Sequence, residues 1–159
     1  MTWVRYRARD VNALVERRLQ RGETLAGAAL GYTYDPKLST SGWSALGVLV
    51  EGVIKGTWPL DRTIGRPYVV ARTNRHLVLI ACRPSTDARG EPTLAEDEHE
   101  SFALSRVLPD GVDARSEGDN VTLHFDASAP TGARAFFFNK HSARGNLVQA
   151  EAVVQPLLR

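Results

Sequence analysis

Cysteine is nearly absent from this 159-residue chain. Its one thiol, Cys82, sits inside an apolar run, so a disulfide framework is excluded. A buried structural thiol is expected there, because a reactive one needs exposure and a lowered pKa. Such usage fits a reducing cytosol. Also missing is any uninterrupted apolar stretch of about 20 residues, the length a bilayer span needs. The N-terminus, MTWVRYRARD, has no apolar h-region, so no secretory signal is expected. No HExxH, GxSxG, P-loop or CxxC string occurs, so none of the catalytic or metal signatures that announce themselves in sequence is present.

What is there is ordinary for a globular domain: 43% hydrophobic and 24% charged residues, in a length that suits one domain with a real core. The net charge of +2 hides an asymmetry. Residues 1–83 hold 13 Lys/Arg against 6 Asp/Glu, whereas residues 84–159 hold 7 against 12. A basic front half favours an anionic surface; the plainer reading is a set of solvated faces.

The clearest local signal is PYVVARTNRHLVLIACR, residues 67–83. Two apolar runs, Tyr68 to Ala71 and Leu77 to Cys82, flank the polar quartet Arg72-Thr73-Asn74-Arg75. Val, Ile, Leu and Tyr suit a pleated sheet, and Asn tolerates the positive φ of a tight turn. The pattern predicts a β-hairpin turning at Thr73 to Arg75. Before it, Val11, Leu14, Val15 and Leu19 share one helical stripe, predicting an amphipathic helix over Asp10 to Arg21, capped by Asp10 and stopped by Gly22. Trp3 and Tyr6 lie among Arg5, Arg7 and Arg9, a mixture that grips phosphates or stacks on bases; aromatics folded back onto the core are the simpler expectation. Glu23 to Tyr34 is a strand candidate, with Gly27 and Gly31 marking a bulge or bend.

After the hairpin, Pro84 to Glu100 has the composition of a mobile surface loop, ending in the acidic run Glu96 to Glu100. Neighbouring carboxylates diverge along a flexible chain, so no metal site is expected. Four strand candidates follow: Ser101 to Leu108, Gly111 to Glu117, Asn120 to Asp126 and Ala133 to Asn139. In the third, Val121, Leu123 and Phe125 alternate with Thr122 and His124, so the first set should be buried and the second exposed. Leu147, Ala150, Val153, Val154 and Leu157 then form a helical stripe, with Ser142 or Asn146 as cap and Pro156 ending regular helix near Val154.

This order of one strand, a hairpin, four strands and a closing helix resembles the bacterial pleckstrin-homology-like (PH-like) and GRAM-type families, with VVARTNRHLVLIA as the hairpin motif. The resemblance implies an α+β, mainly β fold. It would be a PH-like antiparallel barrel or sandwich of six to seven strands, with a C-terminal capping helix and an extra N-terminal helix. Residues 1–22 would be a helical extension and 23–159 one domain with a long insertion at 35–66. By the same resemblance, basic residues of the first inter-strand loop and second strand would meet an anionic ligand: Lys37, Lys55, Arg62, Arg66 and Arg72. Within the insertion, Trp43 and Trp58 bracket an apolar run that is either core or an interaction element.

The four histidines, His76, His99, His124 and His141, form no recognisable catalytic set. The expectation is a cytoplasmic, non-enzymatic binding or scaffold module, possessing neither cofactor nor metal. Its partner would be a protein or an anionic membrane surface, and peripheral membrane association is compatible with that; nucleic acid is not favoured. An alternative is a small enzyme with an unrecognised histidine site.

Overall fold

The computed structural model describes residues 4–33 and 65–159. Helix α1, Ala8–Glu16, precedes seven strands: β1 Leu25–Thr33, β2 Pro67–Thr73, β3 His76–Thr86, β4 Pro92–Ala103, β5 Val112–Glu117, β6 Asn120–Phe125 and β7 Arg134–Asn139. Helix α2, Asn146–Val154, follows, and a 3-10 turn over Gln155–Leu158 ends the chain where Pro156 forbids regular helix. The strands form one antiparallel sheet in the order β4-β3-β2-β1-β7-β6-β5. No helix among the described residues is long and apolar enough to cross a membrane.

The sheet curls over on itself. Arg134 on β7 forks onto Glu100 on β4, with Nη2 to Oε1 at 2.9 Å, although three strands lie between them in the order. Four inter-strand spacings would separate these strands by about 19 Å in a flat sheet. Inside the curl, Val70, Leu77 and Leu79 share one apolar cluster with Val121, Leu123, Phe125, Phe136 and Phe138. Helix α2 supplies Ala150, Val153 and Val154 to this cluster, and Leu157 follows from the 3-10 turn.

The outer face of β1 to β4 is covered too. Val11, Leu14 and Val15 of α1 pack on Leu30, Val69, Ala71, Val78, Ile80 and Cys82. Strands buried on both faces need apolar groups at every position, which explains the unbroken runs of β2 and β3. The reading of β6 is corrected as well. Val121, Leu123 and Phe125 are buried as expected, but Thr122 is only 1% exposed. It stands opposite Phe137, whose ring stacks on Tyr32 at 5.5 Å, and its hydroxyl donates to the Arg115 carbonyl at 3.3 Å. His124 is half-buried, and burial lowers its pKa first of all.

Four other expectations change. Helix α1 starts at Ala8 and stops at Glu16, short of Arg21, and no side chain caps it; Asp10 lies in its first turn and accepts from Arg7 Nε at 2.7 Å. Past Glu16 the chain tightens into i→i+3 bonds, and Arg18 leaves the helix direction to pair with Glu96 on β4. The hairpin tip uses no positive φ at Asn74; instead the Thr73 hydroxyl accepts from the Arg75 and His76 amides at 3.0 and 2.8 Å, a side-chain substitute for a left-handed turn. The stretch read as a mobile loop, Pro84 to Glu100, is mostly the long β3–β4 hairpin, turning near Gly90 at φ 79°. Its charges belong to an edge strand, where they discourage pairing with another sheet. Finally, α2 has neither Ser142 nor Asn146 as cap: Gly145 holds the N-cap position at φ 70°.

Strand β1 is only partly paired on its second side, because β7 meets it at Gly31 to Thr33 alone. Farther back, α2 does the work of a strand. The Leu30 amide donates to Asn146 Oδ1 at 2.9 Å, Asn146 Nδ2 returns a bond to the Leu30 carbonyl at 2.9 Å, and the Ala28 amide donates to Gln149 Oε1 at 3.2 Å. These satisfy backbone groups that burial would otherwise orphan. So close an approach of the helix needs glycine at Gly27, where a Cβ would lie 3.0 Å from Ala152 Cβ; at Gly31 a Cβ would lie 2.7 Å from the Phe138 ring of β7. The bulge expected in this strand is present between Leu25 and Gly27.

Candidate anion-binding groove

Past β7 the chain turns sharply through Lys140 to Gly145. The Asn139 side chain accepts from the His141 amide at 2.8 Å, and Asn146 Nδ2 donates to the Asn139 carbonyl at 2.8 Å. The segment before α1 is laid against this turn: the Tyr6 amide donates to the Ser142 carbonyl at 3.0 Å, and Tyr6 bridges Ala143 in parallel. Tyr6 folds back into the outer apolar cluster. Alternation then sends Arg5 and Arg7 away from it.

The outcome is a cationic groove assembled from both ends of the described chain. One cavity of about 600 Å³ is lined by Arg5, Tyr6, Arg7, Ala8, Arg9 and Arg144. A second, of about 280 Å³, shares Arg5 and continues over Lys140, His141 and the first turn of α2 at Gly145 to Val148. That helix start has no side-chain cap, although its first amide, Asn146, already donates to the Ala143 carbonyl at 3.1 Å; the positive end of its dipole lies beside the second cavity.

The cations differ in how far they are already matched. Arg7 bonds Asp10 and Asp87, at 2.7 and 2.9 Å, and Lys140 pairs with Asp119 at 3.0 Å. Arg5, Arg9 and Arg144 are exposed and have no acidic partner among the described residues. Three unmatched guanidiniums beside an uncapped helix start can take phosphate or carboxylate oxygens in forked pairs.

Of the residues singled out by sequence, Lys37, Trp43, Lys55, Trp58 and Arg62 lie outside the described residues. The two ends of that insertion meet: the Gly65 amide donates to the Thr33 carbonyl at 2.6 Å, and the Thr33 amide to the Arg66 carbonyl at 3.0 Å. Arg66 and Arg72 stand at opposite ends of β2, about 20 Å apart at strand spacing, so they do not converge. Arg66 bonds Glu98 at 3.0 Å, lies 3.6 Å from Asp97 and covers the Tyr68 ring at 5.7 Å. Its charge is already matched. Arg72 is half-buried and pairs in register with Gly27 and Leu77.

The histidines stand on separate elements: His76 opens β3, His99 lies on β4, His124 on β6, and His141 precedes α2. The Nδ1 of His76 lies 2.6 Å from Glu23 Oε2. Burial of Glu23 opposes ionisation. Hydrogen bonds from His76, from the Thr73 hydroxyl at 2.6 Å and from the Gln20 amide at 3.1 Å outweigh it and bring its pKa down to about 2. The ionised carboxylate therefore ties the α1–β1 connection to the hairpin tip. Among the described residues no group of three His, Cys, Asp or Glu side chains is placed to hold a metal.

Arg144, Lys140 and His141 carried no signal of their own in the sequence. The string Lys140-His141-Ser142-Ala143-Arg144-Gly145, cations closing on a glycine before a helical stripe, was the available hint. Comparison with protein-family models and with curated proteins finds no match to this chain.

Proposed function

We propose that this chain is a non-enzymatic, PH-like binding module whose ligand is a phosphate-bearing anion held in the Arg5–Arg9–Arg144 groove. The observation that carries this reading is a set of three arginines with no acidic partner among the described residues, lining one of two adjoining cavities, the second of which reaches an uncapped helix start. The PH-like assignment is supported by the meander of four strands, the three-strand return and a closing helix packed inside the curl. A cytoplasmic place of action goes with a single free, buried thiol.

Titration calorimetry with inorganic tripolyphosphate tests the reading, using the parent protein and the Arg5→Ala/Arg144→Ala variant. The parent should bind, more weakly as salt is raised, and the variant should lose most of that binding with its melting temperature unchanged, since both side chains are exposed. Absence of heat from the parent, or equal affinity in the variant, would overturn it.

A further inference from the structure

We infer that the groove is one end of a cationic track along α1, and that the track docks on the backbone of duplex DNA. Arg5, Arg9 and Arg144 meet one phosphate strand, and Arg17, Arg21 and Arg75 meet the other. This rests on the anion-groove reading and names the source of its phosphate. Arg17 closes α1 as its C-cap residue, and Arg21 lies in the turn that follows, where the Glu23 amide donates to the Gln20 carbonyl at 2.9 Å. Arg75, at the tip of the β2–β3 hairpin, reaches the same turn: its Nη2 lies 3.5 Å from where a Cβ on Gly22 would stand. Arg17, Arg21 and Arg75 are exposed and have no acidic partner among the described residues. Arg18 beside them is different, since Glu96 takes its charge.

The spacing favours a long anion over a small one. Arg9 and Arg17 stand eight residues apart on α1, about 12 Å at helical rise, so a free phosphate in the groove cannot reach the second set. B-DNA has a major groove about 12 Å wide, with a phosphate strand on each rim, and that groove admits a helix. The major groove of duplex RNA is too narrow for this. Single strands call for stacking platforms, whereas the exposed large apolar side chains among the described residues are Val4, Leu108 and Val148, none of them aromatic. Acids near the track are taken up elsewhere: Asp10 by Arg7, and Glu23 by His76 and Thr73. Glu16, exposed beside Arg17, also lies on this path and opposes docking.

Fluorescence anisotropy with a DNA duplex about two turns long decides the matter. With all these arginines on phosphates, log affinity should fall against log salt with a slope of about −5, or about a thousandfold between about 50 and 200 mM salt. Duplexes of unrelated sequence should bind alike, because phosphate contacts carry no sequence information. Arg17→Ala/Arg21→Ala/Arg75→Ala should flatten the slope by about three, while tripolyphosphate titration and the melting temperature stay at the parent values. Arg5→Ala/Arg144→Ala should weaken both ligands, and Glu16→Gln should tighten the duplex alone. Tripolyphosphate binding without duplex binding would overturn the DNA inference and leave the groove standing. Failure of both would remove the groove as well. Duplex binding indifferent to the Arg17, Arg21 and Arg75 substitutions would overturn the track, and tighter binding of duplex RNA or single-stranded DNA would overturn the choice of occupant.

Discussion

Asn146 does more for this fold than its side chain would suggest. One buried amide bonds the Leu30 amide and carbonyl and the Asn139 carbonyl. Asn146→Ala strips the Leu30 amide and carbonyl of this partner, at about 1–3 kcal/mol for each left unsatisfied, while the Asn139 carbonyl keeps the Ser142 amide at 3.2 Å. Chemical denaturation should therefore show a loss of about 2 kcal/mol or more. Val148→Ala, on the exposed side of the same turn, should stay within about 0.5 kcal/mol of the parent. None of this was legible beforehand: an Asn ahead of a helical stripe reads as a cap, and its real partners lie 116 residues away. Glu23 is a second such residue. Its folded pKa of about 2 lies below its ordinary value of 4.5, so its stabilising effect is complete above pH 4.5 and is lost as pH falls toward 2. Over that window the parent should lose more stability than Glu23→Gln, as read from denaturant midpoints at successive pH values. Equal slopes would mean that the carboxylate is not the group holding the hairpin tip.

At the scale of elements, periodicity spoke clearly wherever one face was wet. Helix α1 revealed its buried Val11, Leu14 and Val15, and the β2–β3 hairpin was plain from its two apolar runs. Thr122 and the Pro84 to Glu100 stretch were misread for one reason: polar residues were equated with exposure or disorder. Thr122 is buried with its hydroxyl satisfied. On β4 the charges are engaged by arginines from other elements, including Arg18 with Glu96 and Arg134 with Glu100. Such pairing depends on tertiary neighbours, which no local window contains. The cover that α1 provides can be measured through Cys82. Burial first of all pushes its thiol up to about 12, so a thiol reagent should label the folded parent slowly. Leu14→Ala/Val15→Ala should cost about 3–6 kcal/mol and speed labelling markedly. Rapid labelling of the parent would mean that α1 does not seal that face.

For the whole molecule, the uneven charge along the chain turns out to be largely settled internally. Acids of the second half, Asp87, Glu96, Asp97 and Glu98, meet Arg7, Arg18 and Arg66 of the first. Part of what is left over gathers at the groove, where Arg5 and Arg9 gain Arg144 from the opposite end of the described residues. Counting charges could reveal the imbalance but not where the surplus would gather, because the folded neighbours decide which arginines are used up. The groove was legible only in its first part, Arg5, Arg7 and Arg9 around Tyr6.

The stitching of β1 by α2 also bears on the order in which the chain is made. Strand β1 emerges first, and the amides that close its flank, from Asn146 and Gln149, emerge only after every other strand. Until then, the Ala28 and Leu30 amides present an open flank on an apolar strand, the kind of edge that recruits another chain. Slow emergence of α2, or a substitution that delays its docking, would thus appear during synthesis as strand exchange and aggregation, even where the finished protein is stable enough to survive.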